Sequence, residues 1–294
     1  MRADRTSPSA PAAFDPGRQR DFDEPKGWRR VGRYTLLVIV AVIVLFPIYT
    51  MVVAAFKPSD QFFVNPLVPD GFTLDVIREA WTEGRLGRYL LNSLVVAVIV
   101  TLFQVASSVL AAYAFAILKF PLKNVFFVLF IATLLVPLEA TLVVNFDTVD
   151  GLGWANTYQG LALPFLATAF GVFLMRQVFM GLPPDLRDAA RIDGVGHLGF
   201  LRHVGLPLVR PTLGALALFA FLGSWNQYLW PNLIVNETDM NTVQSGLRVL
   251  SRSNLDQPNL VMAGTFVAAI PVAIVLLLFQ RQLVRGLTAG AVKG

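Results

Sequence analysis

The fold is decided by the first long charge-free stretch of the chain, residues 34–56, which reads YTLLVIVAVIVLFPIYTMVVAAF. It has 23 residues, and a helix needs about 20 apolar residues to cross the hydrocarbon core of a bilayer. Its apolar residues follow one another without the period-two alternation of a membrane β-strand. The stretch therefore predicts a transmembrane α-helix.

Five further stretches of this kind follow along the chain. Each lacks charged side chains, apart from Glu139 in the third stretch. Each is expected to be helical, because backbone groups in lipid must be bonded within the chain. The predicted fold class is an all-α, polytopic membrane protein with six transmembrane helices, at about residues 34–56, 89–118, 124–146, 151–175, 211–236 and 257–280.

The composition agrees with a membrane protein. Of the 294 residues, 55% are hydrophobic and only 15% are charged, and the mean hydropathy is +0.61. An ordinary globular protein is about a quarter charged. The chain has no cysteine and two histidines, which excludes a disulfide scaffold, a thiolate metal site and a histidine-rich metal cluster. The sequence therefore predicts no metal site.

Basic residues are distributed unevenly between the two sides of the predicted spans. Eighteen of the 24 Lys and Arg residues fall on the side of the two termini, the connection between the second and third spans and the loop between the fourth and fifth spans. Cytoplasmic loops carry such an excess, which predicts that both termini lie in the cytoplasm. The high pI of the chain is then explained by the basic residues that set its membrane topology. We expect no nucleic-acid partner, because no basic stretch is interleaved with aromatic residues.

The first 33 residues are too polar to pack and include Pro8, Pro11, Pro16 and Pro25. They predict a cytoplasmic arm that is disordered or lies on a surface, ahead of a transmembrane domain at 34–294. The span at 34–56 is too long for a signal-peptide core and is expected to be an uncleaved anchor. Ala54 and Ala55 imitate a cleavage site, which is the less favoured interpretation.

The cytoplasmic connection between the fourth and fifth spans is predicted to be structured. Pro183, Pro184 and Asp185 suit the beginning of a helix, and Gly194 is expected to end it. A second short helix is predicted from 196 to 204, with Leu206-Pro207 ending it. The apolar side of this loop needs a partner, because no other soluble part of the chain is large enough to cover it.

The same loop resembles the EAA motif of permease subunits of binding-protein-dependent ABC importers. That motif reads Glu-Ala-Ala, three residues, Gly, nine residues, Ile, one residue, Leu-Pro. The matching residues here are Asp188-Ala189-Ala190, Gly194 and Val204-Gly205-Leu206-Pro207, with every spacing kept. Asp188 replaces the usual Glu, and Val204 replaces the usual Ile.

Other segments resemble the carbohydrate-uptake branch of these permeases, similar to the maltose and glycerol-phosphate types. The resemblance runs from about Tyr34 to Gly294 and leaves out the N-terminal arm. The segments that carry it are Asp193 before the motif glycine, Asn92-Ser93 in the second span, Trp225 to Pro231 in the fifth, and the C-terminal 286–294.

The resemblance implies that the loop at 182–211 is a coupling helix docked in a cleft of a cytoplasmic ATPase. Asp188 would contact the ATPase, Ala189 and Ala190 would allow a close approach, and Gly194 would aim the two short helices. The complete set of coupling residues is Asp188, Ala189, Ala190, Asp193, Gly194, Val204, Leu206 and Pro207.

The resemblance also implies an assembly in a bacterial inner membrane. A second, different permease, two ATPase subunits and an extracytoplasmic solute-binding protein would accompany this chain. The chain lacks a Gly-x-x-x-x-Gly-Lys-Ser/Thr segment, so ATP and Mg²⁺ are expected on the partner ATPase. This subunit itself is expected to bind no cofactor and to be no enzyme. The solute would be a sugar, a polyol or a glycerol phosphate.

Four residues are candidates for the solute pathway. Glu139 is the only acid inside a predicted span, which favours function by default. It also suits a shallow, kinked segment behind Pro137, and this simpler explanation is favoured. Trp225, Asn226 and Tyr228 could form a sugar site with stacking faces and amides, to which Gln227 and Trp230 of the same run could contribute. An interfacial aromatic belt or helix packing explains the same composition, and packing is favoured for Trp230.

Several other features allow two interpretations. Gly194, Gly196 and Gly199 match a dinucleotide-binding fingerprint, but no strand precedes them and no acidic ribose partner follows. His197 and His203 are spaced wrongly for two ligands on one helix face. The loops at 62–91 and 238–258 could lie on the membrane surface or dock the binding protein.

Two other function classes compete with the importer subunit. A secondary transporter or channel would work without an ATPase, and Glu139 alone speaks for it. A membrane-embedded enzyme would need several convergent titratable groups, which the spans lack. The choice of solute and the roles of individual pathway residues require the tertiary structure.

Overall fold

A computed structural model of the chain describes residues 28–288, except for the side chains of residue 29 and residues 283–288. Most of the predicted N-terminal arm and the last six residues therefore lie outside the described part. All regular secondary structure within 28–288 is helical. The α-helices are α1 Trp28–Ala55, α2 Ser59–Phe62, α3 Asp75–Glu83, α4 Leu86–Ile117, α5 Lys123–Ala132, α6 Leu138–Gly151, α7 Tyr158–Ala162, α8 Ala169–Met180, α9 Pro184–Ile192, α10 His197–Phe200, α11 Leu206–Leu208, α12 Arg210–Trp225, α13 Leu229–Ile234, α14 Val243–Ser253 and α15 Pro258–Thr288.

Shorter helical turns connect several of these elements. Thr133–Leu135, Leu163–Phe165 and Thr238–Met240 are 3-10 helices, and Leu201–Gly205 is a π-helical segment.

Three helices are long and apolar enough to cross a membrane: Arg30–Ala55 in α1, α4, and Pro258–Gln282 in α15. Three bent helix pairs pass the same test together, which brings the number of candidate spans to six. The pairs bend by 101° between α5 and α6, by 52° between α7 and α8, and by 83° before α12. The all-α, polytopic class predicted from the sequence is confirmed, but half of the predicted straight spans are broken helices.

The boundaries of three predicted spans differ from the structure. The third is split where Pro137 precedes α6, since proline disfavours helix in the residue before it. The fourth begins at Tyr158, because the chain turns at Gly153, which has φ +68°. The fifth helix ends at Trp225, and residues 229–234 form a separate helix.

The fourth span also continues past Arg176, where the charge predicted its end. The guanidinium carbon of Arg176 lies 4.0 Å from the centre of the Phe127 ring, and its Nε donates to the Phe115 carbonyl over 3.3 Å. These contacts accommodate the charge at the end of the span. The helix therefore extends one further turn to Met180.

Helix α4 lies at the centre of the packing and contacts α8 and α12, while α12 also contacts α15. Small residues on α4 allow this close approach: Ser108 and Ala112 are fully buried. On the facing helix, a Cβ added at Gly171 would lie 2.2 Å from the Ser108 hydroxyl. Packing through small residues is typical of membrane helices, because lipid tails are as apolar as leucine side chains and no hydrophobic effect drives helices together.

The chain divides into two compact units, with a boundary between Tyr49 and Thr50. The described part of the first unit is the helix from Trp28 to Tyr49, whose described side chains are exposed in the single chain. The second unit contains every residue discussed below.

Candidate functional site

The loop at 182–211, which we call the coupling loop, begins with a helix that agrees with the sequence prediction. Helix α9 starts at Pro184, preceded by Pro183, with Asp185 in its first turn. It ends before Gly194, whose φ of +72° is a conformation that glycine adopts without steric cost. The backbone turns there, so that the Val195 N–H donates to the Ala190 carbonyl over 2.8 Å.

The second half of the coupling loop differs from the prediction. Leu206-Pro207 does not end the helical structure, which runs from His197 to Leu208 through the π-helical segment 201–205. Pro207 is tolerated because it lies in the first turn of α11, where a missing N–H is unbonded in any case. The chain turns instead at Val209, before α12.

The predicted coupling residues fall into two groups. Asp188, Ala189, Asp193 and Gly194 are exposed to solvent. In contrast, Ala190 is buried, and Val204 and Leu206 pack against the same apolar cluster with Pro207 half-buried nearby in sequence. One part of the motif therefore faces outward, and the other attaches the loop to the transmembrane helices.

A polar contact also attaches the coupling loop to α4. The Tyr113 hydroxyl lies 3.0 Å from Nδ1 of His197, and the Tyr113 ring meets Phe179 edge-on. Arg187 and Arg191 line a cavity of about 220 Å³ beside this contact. Sequence reasoning missed Tyr113. The available signal was the position of this residue about one turn before the end of the second predicted span.

Two large apolar side chains of the coupling loop are exposed to solvent. Ile192 is 86% exposed, at the end of α9, and Leu198 in α10 is 78% exposed. Both lie within a few residues of the outward-facing acids Asp188 and Asp193. An apolar group rimmed by charged residues is typical of a protein-protein contact surface.

At the other end of the helices, polar residues bond to one another. Lys57 is 1% exposed, and its Nζ donates to the carbonyls of Asn65 and Val68 and to the Asp70 carboxylate. The hydrogen bond from Lys57 holds the pKa of Asp70 below its ordinary value. This arrangement fixes the segment that follows α1.

A second set of bonds joins α4 to the segment before α14. Asn92 is fully buried; its Nδ2 donates to the Asp239 carbonyl over 2.7 Å, and its Oδ1 accepts from the Tyr158 hydroxyl over 2.8 Å. The Ser93 hydroxyl accepts from the Val243 N–H over 2.8 Å. We call the segments 56–93 and 237–243 together the polar cap.

A cavity of about 330 Å³ lies where two of the broken spans meet α4 and α12. Leu138 borders it at the break before α6, and Pro164 and Thr168 border it at the break before α8. Its remaining lining comes from α4 and from the end of α12. We call it the break cavity.

Of the residues considered for a sugar site, only Gln227 lines the break cavity. Glu139 is exposed in the first turn of α6, one residue after Leu138. Trp225 is buried with its ring stacked on Phe221 at 5.6 Å, which agrees with packing and leaves no free face for a sugar. Asn226 donates to the Leu222 carbonyl over 3.0 Å, and Tyr228 is 42% exposed.

Trp230 behaves as the packing interpretation predicted. It is 1% exposed, and its indole N–H donates to the Gly160 carbonyl over 3.1 Å. The aromatic motif of the fifth span thus contributes its two tryptophans to the interior of the chain.

Four polar residues line the cavity: Gln104, Thr168, Ser224 and Gln227. Sequence reasoning named Gln227 as part of the aromatic motif and missed the other three. A signal was present: Gln104 is the only amide near the middle of the second predicted span, and Ser224 and Gln227 are three residues apart in the fifth predicted span. Their convergence depends on the helix breaks, which hydropathy does not predict.

This arrangement of broken apolar helices, with a structured loop that exposes its motif residues, defines an importer permease. The model of the family "Binding-protein-dependent transport system inner membrane component" matches residues 104–289. The chain belongs to this family, the membrane permease subunits of ABC importers. The alternative of a transporter or channel without an ATPase is not favoured.

Two named relatives resemble the chain in sequence. The sn-glycerol-3-phosphate transport system permease protein UgpE of Yersinia pestis bv. Antiqua (strain Antiqua) is 39% identical over 264 residues, covering 86% of this chain and 94% of the relative. The UgpE of Escherichia coli O1:K1 / APEC is 35% identical over 274 residues, covering 90% and 98%.

A solved structure shares the fold. It is a bacterial ABC transporter involved in the import of the acidic polysaccharide alginate, with a TM-score of 0.73 at 22% identity, covering 86% of this chain and 95% of the other. At this identity the likeness concerns the fold alone.

Proposed function

We propose that the chain carries a sugar, a polyol or a glycerol-phosphate-type solute across a bacterial inner membrane by alternating access driven by ATP hydrolysis. The observation that carries this proposal is the coupling loop, which presents Asp188 and Asp193 to solvent beside the uncovered Ile192 and Leu198. The relatives named for glycerol-phosphate transport support the solute class. ATP and Mg²⁺ belong to a separate ATPase, and this chain binds no cofactor.

The coupling loop docks in a cleft of that ATPase. Asp188, Ala189, Asp193 and Gly194 form the contact, since they are exposed together with the apolar side chains. Ala190, Val204, Leu206 and Pro207 transmit the movement, because they pack on or beside the cluster that contains Tyr113 and Phe179. Closure of the ATPase then moves the ends of α4 and α8.

The chain spans the membrane six times, with both termini in the cytoplasm. Three long helices, the bent pairs α5–α6 and α7–α8, and helix α12 provide the spans. Eighteen of the 24 basic residues then lie on the cytoplasmic side, as the positive-inside rule requires. The polar cap consequently faces outward.

The complete transporter contains a second, different permease, two ATPase subunits and an extracytoplasmic binding protein. The polar cap and the loop up to Pro258 form the surface that meets the binding protein. In support, a solved alginate transporter that shares the fold, with a TM-score of 0.59 at 14% identity over 86% of this chain and 95% of the other, is in complex with a periplasmic protein.

The proposal is tested by purifying the tagged chain from membranes with its co-expressed partners and measuring the bound ATPase. The variant is Asp188→Arg combined with Gly194→Trp, and the matched control is Asp150→Arg, which reverses an exposed charge in α6. We expect the wild type and the control to retain the ATPase and a second permease. The double variant should insert in the membrane but lose the ATPase.

The opposite result would be recovery of the wild type without an ATPase together with transport that needs no ATP. That outcome would refute the importer proposal, and Glu139 would then be the first residue to study.

A further inference from the structure

The break cavity lies at the depth of the candidate spans, and its position has a physical consequence. Irregular backbone within a membrane is tolerated only where it is buried in protein or lines a water-filled space. Two chain breaks border this cavity, at Leu138 and at 164–168. Ser107 on α4 donates to the freed Leu166 carbonyl over 2.9 Å. The breaks are therefore supported by the protein on one side and open into the cavity on the other.

The polar lining of the cavity has unused hydrogen-bonding capacity. Gln104, Thr168, Ser224 and Gln227 are half-buried, and none of these side chains bonds to another residue in the described range 28–288. Two amides and two hydroxyls can each donate and accept. These four side chains are therefore available to form hydrogen bonds with a ligand rich in hydroxyl groups.

The charge around the cavity selects among such ligands. No Lys, Arg or His lines it, whereas phosphate is normally held by Arg or Lys. The nearest acid in sequence to the lining, Glu139, follows Leu138 and places a negative charge in the first turn of α6. The start of α8 at Thr168 adds backbone N–H donors but no full charge. The surroundings therefore favour a neutral ligand over an anion.

The apolar part of the lining completes this description. Phe165 and Phe219 supply the aromatic part of the lining. Aromatic rings pack against the C–H faces of sugars. The volume, about 330 Å³, lies at the lower end of the range of small-molecule pockets, about 300–1,000 Å³. A small polyhydroxylated solute, or one unit of a larger one, fits these properties.

We propose that the break cavity is this subunit's part of the solute site and that it binds the hydroxyl groups of a neutral sugar or polyol through Gln104, Thr168, Ser224 and Gln227. The inference rests on the proposed function and narrows it, because it disfavours a phosphate ester as the group held by this chain. Each amide forms hydrogen bonds with the solute as it passes.

The test uses the complete transporter in proteoliposomes: this chain, its co-expressed partner permease and ATPase, and the binding protein. Uptake of radiolabelled maltose, trehalose, sorbitol, glycerol and sn-glycerol 3-phosphate is measured with and without ATP. We expect ATP-dependent uptake of at least one neutral probe. For that probe, Gln104→Leu and Gln227→Leu should each raise KM by about 3- to 10-fold, the loss of one or two neutral hydrogen bonds.

Thr101→Val is the matched control. Thr101 lies one turn before Gln104 on α4, does not line the cavity, and has a buried hydroxyl without a partner in the described part of the chain. Like the two glutamine substitutions, this one replaces a polar side chain with an apolar one. The KM of this variant should stay within about 2-fold of the wild type. The thermal midpoint of each purified complex is recorded. Because Gln104 lies on α4 and Gln227 lies after the end of α12, a folding defect in one variant would not be expected in the other.

The possible results separate the two proposals. ATP-driven uptake of sn-glycerol 3-phosphate alone, or unchanged KM values in both glutamine variants, would overturn the neutral-solute inference and leave the importer function intact. Uptake that needs no ATP would instead overturn the importer function, and the inference with it.

Discussion

The polar cap and the coupling loop lie at opposite ends of the same helices and differ in how their polar groups are paired. In the polar cap, Lys57, Asn92 and Ser93 are buried and bond to neighbouring segments of the chain. In the coupling loop, Asp188 and Asp193 are exposed beside Ile192 and Leu198, which no described part of the second unit covers. The cap is stabilised by its own contacts, whereas the coupling loop leaves acidic and large apolar side chains exposed.

This difference separates stability from coupling. Changes in the polar cap should lower the free energy of unfolding, because they leave buried groups unpaired. Changes on the exposed face of the coupling loop should leave stability unchanged and remove a partner. The following predictions test this separation.

The largest effect is expected from Ile192→Asp combined with Leu198→Asp. Each apolar side chain that an interface buries contributes about 1.5–3 kcal/mol, so the ATPase recovered with the chain and ATP-driven transport should both fall at least about 10-fold. The thermal midpoint of the chain alone in detergent should not change. Leu255→Asp, at a side chain 79% exposed outside the loop, serves as the control and should retain the ATPase.

Lys57→Met should have the next largest effect, on stability. The substitution removes the charged donor shared by the carbonyls of Asn65 and Val68 and the Asp70 carboxylate, and it leaves that carboxylate without its salt bridge. We expect a loss of about 2–3 kcal/mol in the free energy of unfolding, measured by thermal or denaturant unfolding in detergent. If this variant lost its ATPase while keeping its stability, the proposed division between the two regions would be wrong.

A smaller loss is expected for Asn92→Leu. Asn92 donates to the carbonyls of Asp239 and Asn241 and accepts from Tyr158, so its removal breaks three partly buried hydrogen bonds. The predicted cost is about 2 kcal/mol. Tyr158→Phe removes one of these bonds and should cost about 1 kcal/mol. Equal losses in the two variants would show that Asn92 does not join the segments.

The smallest effect concerns pH. Lys57 lowers the pKa of Asp70 from its ordinary value of 3.8, so the ionised carboxylate stabilises the folded chain. This contribution is present above pH 3.8 and disappears as the pH falls through the lowered pKa. Between pH 5 and pH 3, the thermal midpoint of Asp70→Asn should therefore change less than that of the wild type. The effect is small because the Asp70 side chain is 45% exposed.

The sequence alone located most of the helices and the outward part of the coupling loop. Pro183-Pro184, Asp185 and Gly194 are local signals: a proline begins a helix and a glycine adopts positive φ whatever surrounds them. The prediction that Pro207 ends a helix was wrong, because the π-helical segment before it places the proline at a new helix start.

The solute pathway could not be found in this way. Trp225 and Trp230 have the chemistry of a sugar site but lie in the interior. Gln104 and Gln227 are separated by more than a hundred residues and border the same cavity. Their meeting depends on how α4, α8 and α12 pack, a long-range property that no local pattern contains.

The sequence by itself determined that this chain is a helical membrane protein, and it located the loop whose spacing matches the EAA motif. The first follows from the local cost of placing charge or unpaired backbone in lipid, and the second from the spacing of residues alone. Only the tertiary structure decided where the spans break and which polar side chains surround the cavity between them. The physical reason is that break positions balance local helix preference against packing and hydrogen bonds such as that from Ser107 to Leu166, which join residues far apart in the chain.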